Sequence, residues 1–211
     1  KQDTFEALPG KSFASNWTPA GWSADGGKIY YVAAPYTDGL GGAYPDFEGG
    51  AMSLHEVTVE GSVHKQVYES KGDMPINGIR DVLPQKNLMV STDYAQNAAR
   101  VFVMDLNGQN KHLVFQTKPN QSISAVVLNG NGTRFAVVTH EGDNQEQQGV
   151  GAYLYRVFGY DLVKKSQVTM EMEDVYGDMK PEFHSYGKGK WESLTRFSLM
   201  EGNVSRFFHV R

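Results

Sequence analysis

The sequence predicts an all-β fold, a β-propeller of four-stranded antiparallel blades, on three observations. Short apolar runs rich in β-branched and aromatic residues recur along the 211 residues, each bounded by Gly, Asn or Asp. Helical periodicity is nearly absent; the best amphipathic stretch, Asp93 to Arg100, is too short and polar to bury a stripe. Paired hairpins also repeat at a spacing of about 45 residues, the size of a propeller blade. A β-sandwich or barrel, which also uses hairpins, is the alternative.

The strand candidates run in order through Lys28–Ala33, Asn87–Ser91, Arg100–Asp105, Arg134–Thr139, Tyr153–Tyr160 and Arg206–Val210. Gly21 to Val32 aligns with Val126 to Val137, and a degenerate copy lies at Asp81 to Val90. In each copy a strand meets a short polar turn and a more apolar strand follows. Asp-Gly or Asn-Gly in such a turn supplies the positive φ that a tight hairpin needs. A second hairpin recurs at Ser53–Val67, Val101–Val114 and Val157–Val168. Two hairpins make one blade, so the blades read as about 13–70, 74–117, 121–172 and 178–211. The last is a diverged copy around Trp191 to Leu199.

The motif Trp22-Ser23-x-Asp25-Gly26-x-Lys28-Ile29-Tyr30 resembles the hairpin signature of TolB-type propeller repeats, and Asp105-Leu106-Asn107-Gly108 resembles their outer hairpin. Ala24 stands where that pattern has Pro, and the second and third copies lack the Trp and Asp. The likeness covers about residues 13–170. It implies an extracytoplasmic module of the cell envelope that binds or scaffolds. A Trp at position 22 is expected to pack across to a neighbouring blade. Four blades is the low end for a closed ring. Three arrangements follow: part of a larger ring, which the count favours, a ring closed by association with further blades or a second chain, or a small closed propeller.

Composition excludes several function classes. Formal net charge is -4 with a sequence pI near 5.9 and no basic run, so nucleic acid is not an expected partner. With no Cys there are no disulfides, thiolate metal sites or cysteine nucleophiles. No apolar run approaches the roughly 20 residues of a membrane span. The start at Lys1-Gln2-Asp3 suggests a mature form after signal cleavage or a cut segment, and the expected location is periplasmic or secreted. Four Asn-x-Ser/Thr sequons, at Asn16, Asn120, Asn131 and Asn203, read as turn residues.

Two inserts mark the expected working face. Residues 34–50 separate the hairpins of the first blade and carry Tyr36, Asp38, Tyr44, Asp46, Phe47 and Glu48. Residues 139–151 occupy the same place in the third blade, with His140, Glu141, Asp143, Asn144 and Glu146; the second blade has the shorter link Thr92–Ala99, carrying Tyr94. Insertions at one place in successive repeats emerge on one face, which is often the binding face. Aromatic rings with carboxylates suit a carbohydrate or peptide ligand, or a protein partner. Asp143 to Glu146 lacks the acidic spacing and Gly of an EF-hand loop. The six His residues show no zinc spacing, although His140 and His184 adjoin acids. No nucleophile elbow, phosphate loop or dinucleotide fingerprint is present, so no catalytic residue and no cofactor is expected. The expected function is a non-catalytic binding module. The alternatives are a carbohydrate-active lyase or glycosidase, or the propeller part of a larger peptidase.

Overall fold

A computed structural model describes residues 12–13, 20–39, 42–45, 52–70, 78–142, 153–172, 189–201 and 204–211. It consists of four antiparallel sheets with no α-helix among the described residues. The first sheet contains β1 (Ser12–Phe13), β2 (Ala20–Trp22), β3 (Lys28–Gly39), β4 (Gly42–Pro45), β5 (Ser53–Thr58) and β6 (His64–Glu69). Its four-stranded body runs β2-β3-β5-β6, while β1 and β4 pair with the distal half of β3.

The second sheet is ordered β10-β9-β8-β7, from β7 (Gly78–Leu83), β8 (Leu88–Ala95), β9 (Ala98–Met104) and β10 (His112–Gln116). The third runs β11 (Gln121–Leu128), β12 (Arg134–Gly142), β13 (Tyr153–Asp161) and β14 (Ser166–Val168). In the fourth, β16 (Gly189–Trp191), β17 (Arg196–Glu201) and β18 (Val204–Val210) follow in order, and β15 (Met170–Met172) adds outside β18. Up-and-down four-stranded sheets repeated along one chain are the propeller blade pattern, and the expected fold class holds.

The repeat survives its sequence erosion because different side chains do the same work in the turns. Between β2 and β3, Ser23 Oγ accepts from the Lys28 N–H at 2.9 Å, Asp25 accepts from the Gly27 N–H at 3.0 Å, and Gly26 takes φ 70°. Between β11 and β12, Asn129 Oδ1 accepts from the N–H groups of Thr133 (2.9 Å) and Arg134 (3.0 Å), with Gly132 also at φ 70°. Asn129 thus replaces Ser23 without a change of geometry. The β7–β8 turn is a single 3-10 turn, Pro84–Lys86, closed by Asn87 at φ 49°. Gln96 and Asn97, at φ 54° and 61°, make the two-residue turn between β8 and β9, the mirror-image turn that matches strand twist.

The chain divides into two compact units, 1–94 with 103–112, and 95–102 with 113–211. In the first unit Val32, Leu54, Ile79, Met89 and Val90 are fully buried. Gly21 of β2 lies against Pro84, where an added Cβ would come within 2.8 Å of the ring. In the second unit Ala136, Val138, Phe197, Leu199 and Phe208 form one buried cluster, with Ala125, Val127, Val157, Met170 and Trp191 packed around it. Sheets three and four therefore meet face to face through a small-against-aromatic interface. Arg134 bridges the same pair from the rim: it meets Asp161 at 3.2 Å and donates to the Leu194 carbonyl at 2.8 Å.

Candidate functional site

Both expected inserts begin as paired strand rather than as free loop. β3 continues twelve residues to Gly39 and turns back into β4, pairing Tyr36 with Pro45, Thr37 with Tyr44 and Asp38 with Ala43. Tyr36, Asp38 and Tyr44 thus share one short hairpin ladder; their side chains, and all of Asp46, Phe47 and Glu48, lie outside the described residues. β12 likewise runs through His140 and Glu141 to Gly142, pairing Glu141 with Leu154 and Gly142 with Tyr153. Asp143, Asn144, Glu146 and His184 lie outside the described residues. Strand content that continues past the sheet body is invisible to a reading that takes Gly, Pro and Asp as breaks, because cross-strand pairing outvotes local propensity.

His140 is the expected site residue best defined in geometry. Its Nδ1 lies 2.7 Å from Ser124 Oγ. The pairing of β11 with β12 shifts register between Ile123 and Ala125, so Ser124 is the extra residue of a β-bulge. Such a bulge re-aims a side chain, and here it places the hydroxyl beside the imidazole. Burial holds the His140 pKa below its ordinary value, so the ring is neutral at pH 7. Tyr94 is half-buried near the end of β8, before the Gln96-Asn97 turn.

Two polar groupings escape the sequence reading. In β7 the register shifts between Ile79 and Asp81, and the bulged Arg80 donates from Nε to Thr92 Oγ1 at 2.8 Å. On the first sheet Tyr31, His55 and His64 form a ring cluster with centroids 5.1 to 5.9 Å apart. Tyr31 Oη lies 2.6 Å from His64 Nε2, and His55 Nε2 lies 2.8 Å from Ser53 Oγ. His55 is 9% exposed, and its Nδ1 has no hydrogen-bond partner among the described residues. Burial lowers the His55 pKa, His64 lowers it further, and Glu69 opposes both. The nine-residue separation of His55 and His64 is the only signal for this pair. It becomes a contact once the β5–β6 hairpin register, with Val57 opposite His64 and His55 opposite Gln66, is known.

Across the sheet from that cluster, Glu56 accepts from Tyr30 Oη at 2.9 Å and from Lys28 Nζ at 3.3 Å. Burial pulls Glu56 upward, but these bonds outweigh it and hold the carboxyl below its usual range. Burial, then the hydrogen bond to Glu56, push the Tyr30 phenol up to about 12. No group of three or more His, Asp or Glu suited to a metal ion occurs among the described residues. No helix among them is long and apolar enough to cross a membrane.

Four-stranded antiparallel sheets repeated in series, with extended strand pairs at the head of the first and third, define a protein of the β-propeller class. No family model matches the chain, and no curated protein sequence matches it. Among solved structures it is similar to an acylaminoacyl peptidase of Pyrococcus horikoshii, with a TM-score of 0.51 and 12% identity over 92% of this chain. The chain spans 29% of that peptidase's length. It is also similar to the β-propeller domain of the Trilobed protease from Pyrococcus furiosus, with 10% identity and a TM-score of 0.44 over 94% of this chain and 55% of that domain. An oligogalacturonate lyase in complex with manganese matches at 8% identity and 0.45, over 96% of this chain and 66% of the lyase.

Proposed function

We propose that this chain is a non-catalytic binding or scaffold module of a TolB-type propeller, working in the periplasm or outside the cell. Its proposed ligand is a peptide, carbohydrate or protein segment. The proposed contacts are Tyr36, Asp38 and Tyr44 of the β3–β4 hairpin, with Asp46, Phe47 and Glu48 beyond it. Tyr94 at the second link and His140, Glu141 and Asp143 at the third complete the set. One observation carries this reading: the connection between second and third strands is built out as hydrogen-bonded strand in sheets one and three, whereas sheet two makes it in two residues. A preformed ladder loses less conformational entropy on binding than a free loop of the same length. The Trp22-to-Ile29 hairpin supports TolB kinship through its Ser23 and Asp25 turn bonds.

The test is a peptide and oligosaccharide array probed with the purified chain, followed by titration of any hit. Asp38→Ala with Tyr44→Ala, and separately His140→Ala, are each expected to weaken binding at least about tenfold, the scale of one lost anchor. A hit that survives both variants unchanged would place binding elsewhere. Turnover of an arrayed oligosaccharide or peptide would overturn the non-catalytic reading.

A further inference from the structure

Antiparallel pairing puts the β11–β12 and β13–β14 turns at one end of the third sheet, opposite the end where β12 runs on through His140. Arg134 joins the β16–β17 turn of the fourth sheet to them. It donates from Nε to Asp161 Oδ2 at 3.2 Å and from Nη1 to the Leu194 carbonyl at 2.8 Å. Asp161 Oδ1 accepts from the N–H groups of Val163 (3.0 Å) and Lys164 (2.9 Å), and the Leu162 N–H donates to the Thr133 carbonyl at 2.8 Å. Three turns are thereby held in fixed relation, and two of them present an apolar side chain at the tip: Val163 is 73% exposed and Leu194 54%.

The β13–β14 turn departs from its counterpart in the second sheet at that tip. Asp105-Leu106-Asn107-Gly108 becomes Asp161-Leu162-Val163-Lys164, so Val and Lys stand where Asn and Gly turn the chain. Lys165 follows at φ 53°, in the left-handed region that Gly and Asn enter more readily. Turn chemistry favours neither change; both add exposed apolar or cationic surface. The three turns, 129–134, 161–166 and 192–196, hold four cations (Arg134, Lys164, Lys165 and Arg196) against two carboxylates (Asp161 and Glu192), a net +2 in a chain of net -4. Both carboxylates are engaged, Asp161 by Arg134 and Glu192 by Lys190 and Ser198. Arg196 lies over the Phe207 ring, 3.8 Å from its centroid, and Arg211 beside these turns pairs with Glu171. The outermost positive charge is therefore that of Lys164 and Lys165, both exposed next to Val163.

We propose that this end of sheets three and four is a peripheral docking surface for an anionic lipid membrane. Val163 and Leu194 enter the headgroup region, and Lys164 and Lys165 meet lipid phosphates. Convexity selects the occupant. Apolar side chains at turn tips project from the sheet ends, and a fluid bilayer closes around such points, whereas a folded partner needs a matching hollow. The lysines supply attraction to a negative leaflet, which acts over roughly 8–10 Å at physiological salt. The apolar tips add the short-range, salt-resistant part. His140 lies at the other end of the same strand, so the proposed ligand face is turned away from the membrane.

The experiment is co-sedimentation of the chain with vesicles of phosphatidylcholine alone or with about 30% phosphatidylglycerol added. Binding is expected to the mixed vesicles only, and it should weaken as salt rises. Lys164→Ser with Lys165→Ser should weaken it about 25-fold, roughly fivefold for each lysine. Val163→Ser with Leu194→Ser should weaken it about tenfold. All four positions are exposed, so melting temperatures are expected within about 2 °C of the unsubstituted chain. The chain has no Cys, so Val163→Cys takes a single environment-sensitive dye, whose emission should shift to the blue on the mixed vesicles. Four results overturn the proposal. The chain does not sediment with mixed vesicles at low salt. It sediments, but neither pair of substitutions weakens it, which would put the membrane contact elsewhere. The dye on bound protein stays in water, which would remove the insertion of Val163. Polyglutamate binds the chain and vesicles do not, which would make the occupant an acidic protein segment.

Discussion

Trp191 reaches across two sheets to the carbonyl of Val127, 2.9 Å from its indole nitrogen, and its ring lies 5.6 Å from that of Phe197. The bond satisfies the one polar atom of a large side chain that is otherwise packed in the aromatic and aliphatic core between sheets three and four. Truncation to Ala removes the packing and the bond together and is expected to cost about 3–5 kcal/mol. Trp191→Phe keeps most of the packing and loses the bond, at about 1–2 kcal/mol. Urea unfolding curves read both; equal costs for the two variants would show that the hydrogen bond, rather than the ring, carries the interface.

Gly108 turns the β9–β10 hairpin at φ 81° and lies beneath the Tyr68 ring, so an added Cβ meets both unfavourable backbone and Tyr68 Cε2. Gly108→Ala is expected to destabilise by about 1–3 kcal/mol. Combining it with Tyr68→Ala should give less than the sum of the two single effects, because removing the ring relieves the clash while the strained φ remains. Strict additivity in a double-mutant cycle would show that the ring and the glycine are independent.

The His55 and His140 imidazoles should make the fold acid-sensitive in a window above that of the carboxylates. Folding lowers the pKa of His55 and His140 below 6.5. The unfolded chain therefore binds protons more tightly than the folded one just below pH 6.5. Their contribution to stability is complete above pH 6.5 and is lost as pH falls towards the folded values. Carboxylates such as Glu56, also lowered, lose theirs only below about 4.5. Melting temperature should fall as pH drops below 6.5, and His55→Gln with His140→Gln should flatten that segment of the curve. A slope unchanged by the double substitution would assign the acid sensitivity to other groups.

Alkaline pH should destabilise the fold through Tyr30. The folded phenol ionises at about 12 against an ordinary value of 10, so folding holds a proton that the unfolded chain releases. Stability is complete below pH 10 and declines as pH rises towards 12. Tyr30→Phe should remove one late-titrating phenol from the absorbance titration at alkaline pH and flatten the stability curve above pH 10. Loss of an early-titrating phenol instead would contradict the Tyr30–Glu56 hydrogen bond.

Sequence periodicity was sufficient for the all-β class and the four-stranded antiparallel blade, because strands bounded by tight turns carry their signal locally. The Gly21–Val32 and Val126–Val137 alignment finds the β2–β3 and β11–β12 hairpins but sets them one residue out of register: the turn bonds match Ser23 with Asn129 and Gly26 with Gly132. Ring contacts, bulges and burial are set by register, which a local pattern does not report. Only pairing across strands brings His64 to His55 and Tyr31, aims Ser124 at His140 and Arg80 at Thr92, and extends β3 and β12 through residues that read locally as loop. Two tryptophans in equivalent hairpins look alike in sequence. Trp191 is an interface anchor because a sheet lies against it, whereas Trp22, expected to pack across to a neighbouring blade, is 53% exposed.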